Sequence, residues 1–172
     1  MPAPYFQLVS KPNNWSKSAK IITNSQGLTK TKEINLEYWT AFKAYLDTTK
    51  TSIKCQKPLP QHWSNYAIGK SNFYISSIVS VRDNFIRVDF SIDGPNSKTN
   101  YQFLKDKYES ESYIQIDKNL VWDELPERRV SIVSLKKEVD VSDHTQWKNQ
   151  HEWLKATLEK FDKFFRNKIK EL

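Results

Sequence analysis

The stretch FYISSIVSVRDNFIRVDFSI, residues 73–92, decides the fold class. In its second half Ile86, Val88, Phe90 and Ile92 alternate with Arg87, Asp89 and Ser91. A period of two describes a strand with one buried and one wet face. In its first half Phe73, Ile75, Ser77, Val79 and Val81 point one way, and Tyr74, Ser76, Ile78 and Ser80 the other. Asp83 and Asn84 supply turn chemistry between the halves, so the stretch predicts an antiparallel hairpin.

Upstream, Tyr66 to Ile68 before Gly69 adds a preceding strand. Before it lies a stiff loop, Gln56-Lys57-Pro58-Leu59-Pro60-Gln61-His62-Trp63, whose two prolines disfavour both helix and central strand. Tyr38, Trp39, Phe42, Tyr45 and Leu46 recur at helical spacing and predict a helix over about 33–49, capped by Thr29 or Thr31. Residues 1–32 read as a basic arm or linker. Within it, Phe6, Leu8 and Val9 read as a short strand, Lys11 to Asn14 as a turn cluster and Trp15 as an anchor.

Downstream, the Asp93 to Asn96 turn precedes a helix to about Ser110, capped by Asn96 or Ser97, with Tyr101, Leu104 and Tyr108 inward. Short strands are expected around Ile114, around Val121–Trp122 and over 129–135, the last two separated at Pro126. Trp147, His151, Leu154, Leu158, Phe161, Phe165, Ile169 and Leu172 step by three or four along a long last helix. The expected class is α+β. An antiparallel sheet is covered by an N-terminal and a long C-terminal helix, with a third helix between strands, all within residues 33–172.

The 172 residues carry 27 Lys and Arg against 20 Asp and Glu, a net charge of +7. The excess sits at the two ends around a nearly neutral middle. Such clustering favours a polyanion, although a solvated lysine-rich surface is the commoner meaning of a high pI. A single cysteine, Cys55, makes neither an internal disulfide nor a thiolate zinc site. With no secretion signal and no apolar run of membrane-spanning length, the expectation is a cytoplasmic protein away from membranes.

The catalytic templates are absent. Glycines 27, 69 and 94 build no phosphate-cradling loop, and there is no H-E-x-x-H. His144 and His151 share a helix face only if the helix includes His144, and His151 on the apolar stripe reads as a packed, hydrogen-bonded core histidine. Cys55 with His62 lacks an orienting group. No lysine has Asp or Glu two residues before it, so the (D/E)-x-K nuclease element is missing. Two acidic clusters, Asp123, Glu124 and Glu127, and Glu138, Asp140 and Asp143, sit at element ends as solvated acids. No catalytic residue, metal ligand or cofactor is assigned. The Pro58 to Trp63 loop has two readings. Either it displays Gln61, His62 and Trp63 for contact, or Trp63 plugs the sheet end while His62 bonds to backbone.

From Leu36 onward the chain resembles a bacterial domain-of-unknown-function family often found C-terminal to a PD-(D/E)XK nuclease-like domain. The carrying residues are Glu37 to Phe42, Pro58-x-Pro60-Gln61-His62-Trp63, Ile68-Gly69-Lys70-Ser71, Ser91 to Gly94, His151-Glu152-Trp153-Leu154 and Leu158 to Phe161. The resemblance implies a nuclease-associated setting and no chemistry for this chain.

The leading expectation is therefore a non-catalytic accessory module that helps a nuclease-type partner or upstream domain engage DNA or RNA. Candidate contacts are Lys17, Lys20, Lys30, Lys32, Lys54, Lys57, Gln61, His62, Trp63 and Lys70, with the lysine face of the last helix. The alternative is a protein-interaction or homodimerisation module. It would use the aromatic face of the first helix, or Trp153 and Phe164. A third is an unrecognised nuclease-type enzyme.

Overall fold

The computed structural model describes residues 27–172. The expected arm strand, the turn before Trp15, Trp15 itself, Lys17 and Lys20 lie outside the described residues. Helix α1 spans Lys30–Asp47, and Thr29 accepts from the Lys32 amide as its cap. Strands β1 (Trp63–Ala67), β2 (Phe73–Ser80) and β3 (Phe85–Ile92) form an antiparallel meander. Helix α2 (Ser97–Gln115) leads to β4 (Val121–Asp123), β5 (Ser131–Glu138) and the long α3 (Trp147–Lys168). The sheet order is β1-β2-β3-β5-β4, antiparallel throughout, so the α+β expectation holds.

The hairpin closes as its residues require. Ser80 pairs with Phe85, Asn84 takes a left-handed φ of 52°, and the Ser80 hydroxyl donates to the Asp83 carboxylate at 2.8 Å. Val81 lies in this turn rather than in the strand. The inward row of β3 meets α3. Phe90 stacks on Phe165 at 4.0 Å, and Phe165 also touches Phe161, Phe164 and Trp122. Every predicted apolar position of α3 except Leu172 is buried. Helix α1 turns its aromatic face onto α3, with Tyr38 5.2 Å from Trp147 and 4.7 Å from His151 between ring centres.

Three local expectations fail for identifiable reasons. Ile114 lies in α2, not in a strand. The helix continues past Ser110 because Ser112 is buried there and receives the Trp122 indole N–H at 3.2 Å. Asn96 takes the N-cap position of α2 as expected, but no side chain bonds there, since the Ser97 hydroxyl is spent on the Arg129 carbonyl. The outward row of β3 is not uniformly wet. Asp89 and Ser91 are both 5% exposed. In register, Ser91 lies between Tyr74 and Ile132, and Arg87 holds Asp89 through its Nη2 at 2.9 Å and Nε at 2.8 Å. Ser91 is shaded by these longer neighbours, whereas Asp89 lies between Ser76 and Ser134 and is covered by Arg87. That burial pushes the Asp89 carboxyl up to about 6, against the opposing pull of Arg87.

Candidate nucleic-acid interface

The loop between α1 and β1 is fixed from inside. The Trp39 indole N–H donates to the Gln61 carbonyl at 2.8 Å, the Gln61 amide reaches the Trp63 carbonyl at 3.0 Å, and the Val79 amide donates to the His62 carbonyl at 2.8 Å. Backbone carbonyls therefore pin the loop, and the His62 and Trp63 side chains are left outward. His62 is exposed and Trp63 is 38% exposed, so Trp63 does not plug the sheet. The buried indole here belongs to Trp39, 2% exposed. We expect Trp39→Phe to cost about 1 kcal/mol, one hydrogen bond's worth. Faster amide exchange confined to residues 58–63 in that variant would locate the loss, and unchanged exchange there would refute the pinning.

Lys54 and Lys57 are exposed on the same loop, as are Lys30 and Lys32 in the first turn of α1. None of these four makes an ion pair among the described residues. Lys70 lies three residues beyond the opposite end of β1, a strand about 13 Å long. There its ammonium donates to the Ile169 carbonyl at 3.1 Å, closing the end of α3 against the sheet. Lys57, Gln61, His62 and Trp63 follow one another into β1, whereas Lys54 lines a cavity with Ala67 and Arg166 at the far end of that strand, the end that leads to Lys70.

The lysine face of α3 is mostly engaged. Lys168 pairs with Glu111 at 3.0 Å, Lys160 donates to the Ile116 carbonyl, Lys170 to Asn167, and Arg166 to Asp162. The cations on the outward sheet face are also neutralised: Arg87 by Asp89, and Lys136 by Glu138 at 2.5 Å. By contrast, the sequence between Asp47 and Asp83 contains no acid. That acid-free segment becomes the α1–β1 loop, β1 and β2, one edge of the sheet. It is the signal that composition by thirds of the chain averages away.

The catalytic alternatives find no assembled site among the described residues. No group of three His, Cys, Asp or Glu converges to hold a metal ion. His144 packs on Trp147 at 4.0 Å near Glu37, while His151 is buried against Tyr38, Phe42 and Trp147. His151 is packed as expected, but its Nε2 has no hydrogen-bond partner, and burial lowers its pKa to about 4. Cys55 sits against Tyr66 and Ser64, where burial pushes the thiol up, the wrong direction for a nucleophile. Two surfaces offered for a protein partner are consumed internally: the aromatic face of α1, and Phe164 at 3% exposed.

The architecture is that of an α+β domain with helices on one sheet face and an acid-free edge strand preceded by a lysine-bearing loop. The chain belongs to the family described as Domain of unknown function (DUF4268), whose model matches residues 34–169. No curated protein and no solved structure matches the chain. No helix of the described residues is long and apolar enough to cross a membrane.

Proposed function

We propose that this domain is a non-catalytic module that engages nucleic acid at its β1 edge, on behalf of a nuclease-type partner or upstream domain. One observation carries the nucleic-acid part. Exposed His62 and Trp63 follow exposed Lys54 and Lys57, which have no ion pair among the described residues, in one acid-free stretch of sequence. Unpaired lysines release counterions from phosphates, and an exposed indole stacks on an unpaired base. The nuclease association is supported by the resemblance alone. Lys17 and Lys20 would extend the basic surface.

The test is a salt titration of binding to labelled single- and double-stranded DNA and RNA. Affinity is expected to fall linearly on a log–log plot as salt rises. Reversing Lys54 and Lys57 to Glu lowers the slope by roughly 1.5–2, the share of two phosphate contacts. Trp63→Ala costs about 1–3 kcal/mol on single strands and little on duplex. No binding at low salt overturns the reading.

A protein partner is the second reading. It is favoured by a groove of about 650 Å³ between α1 and the loop, lined by Leu28, Leu36, Ala44, Pro58, Leu59 and Pro60 among others. Leu59 is 47% exposed there.

A further inference from the structure

A second cavity, of about 340 Å³, opens where the α1–β1 loop, the outer side of β1 and the end of α3 meet. Ser52, Lys54, Gln56, Asn65, Asp162 and Arg166 supply its polar lining. The arrangement is unequal in charge and in readiness. Asp162 is already committed to Arg166: its Oδ1 takes Nη2 at 2.6 Å and Nε at 3.1 Å, and its Oδ2 takes Nε at 3.1 Å. That grip holds the guanidinium in one orientation. A second contact, from Nη2 to the Ala67 carbonyl at 3.4 Å, turns it toward β1. Nη1 has no acceptor among the described residues.

The backbone makes room for this arginine. Gly69 has φ +90°, and a Cβ there would lie 3.2 Å from Nη1. Asn65 is similarly oriented. Its Oδ1 accepts from the Ser76 hydroxyl at 2.7 Å, so its amide nitrogen is the group left to donate. Lys54, with no ion pair, adds a second cation. Two cations stand against one carboxylate that is already satisfied, with the Ser52 hydroxyl and the Gln56 and Asn65 amides as neutral donors. Such a set suits a compact, multiply charged oxyanion, because charge-assisted donors are the strong ones and a held guanidinium loses little entropy on binding.

We infer that this cavity binds a phosphate monoester, with Arg166 and Lys54 as its charged contacts and Asp162 as the residue that positions Arg166. The site shares Lys54 with the nucleic-acid reading above but does not rest on it, since Arg166, Asn65 and Asp162 play no part in that reading. The phosphate is carried either by the end of a strand or by a small free ester, and the test separates them.

Inorganic phosphate is titrated into the full chain at constant ionic strength and followed by amide and arginine Nε–H resonances. Saturable shifts are expected at residues 52–56, at 65–69 and at the Arg166 Nε–H, and chloride should not reproduce them. Lys54→Gln and Arg166→Gln should each weaken the response roughly tenfold, the loss of one charge-assisted contact. Lys54 is exposed and makes no hydrogen bond or ion pair among the described residues, so its variant reads the site even if Arg166→Gln disturbs α3. In a second arm, one oligonucleotide is compared with a 5′-phosphate and with a 5′-hydroxyl. Tighter binding of the phosphorylated strand, abolished in both variants, assigns the site to strand ends. Equal binding of the two strands, with the phosphate shifts intact, assigns it to a free ester. Absence of saturable shifts, or shifts unchanged in both variants, overturns the site while leaving salt-dependent strand binding at Lys57 and Trp63 to stand or fall separately.

Discussion

Replacing Phe165 by alanine is expected to cost about 3–5 kcal/mol, the range for emptying a fully buried aromatic position. The side chain is 0% exposed and stacks face to face on Phe90 while touching rings from α3 and β4. These contacts join the sheet's central strand to the helix that covers it, so the void cannot collapse without moving one layer. Phe165→Leu keeps most of the volume and is expected to cost about half as much. Urea denaturation reads both. A loss below about 1 kcal/mol for the alanine variant would mean that α3 does not sit on β3 as described.

The second large effect depends on pH and involves two buried groups that oppose each other. His151 has an ordinary pKa of 6.5 and is lowered to about 4 by burial among Tyr38, Phe42 and Trp147. Between those values the unfolded chain binds the extra proton. Its contribution is complete above 6.5 and is lost as pH falls toward 4, about 3 kcal/mol over the range. Asp89 runs the other way. Its carboxyl is raised from 3.8 to about 6, so between those values the folded chain holds the extra proton. Its contribution is complete below 3.8 and is lost as pH rises through 6, again about 3 kcal/mol. The two slopes nearly cancel between pH 4 and 6. His151→Phe should therefore uncover a stability that falls with rising pH across this window. Asp89→Asn should uncover one that rises. Asp140 and Asp143, lowered from 3.8, titrate beneath it, and Glu171 is lowered from 4.5 by its hydrogen bonds with Lys107 and Tyr108. Denaturation midpoints measured at half-unit steps decide the matter, and parallel profiles for the two variants would refute it.

The fold was readable where one period ran uninterrupted. The stripe of α3 and the alternation of β3 each specify one face, and both faces are buried as expected. The reading fails where burial comes from neighbours rather than from pattern. Asp89 occupies an outward position, and only the strands beside it and Arg87 above it keep water away. Ile114 misled for the opposite reason: an isolated branched residue suggests a strand, yet here it is 85% exposed on a helix. The candidate interface was half legible. Lys54, Lys57, Gln61, His62 and Trp63 share one acid-free stretch of the chain. Arg166 joins Lys54 from α3, and nothing local in the sequence announces that meeting.

The same long reach has a consequence for how the molecule is born. The bond from Lys70 to the Ile169 carbonyl, and that from Arg166 to the Ala67 carbonyl, each span 99 residues. During synthesis the β1–β3 meander is made early, with Phe90 and its row uncovered. Its lid, Phe161 to Ile169, arrives last. Until those residues clear the ribosome, the nascent chain carries an open apolar sheet with two unpaired edges, the condition in which strands stick to other strands. The lysines and prolines of the α1–β1 loop then serve beside the earliest-made edge, discouraging that association before any partner is met.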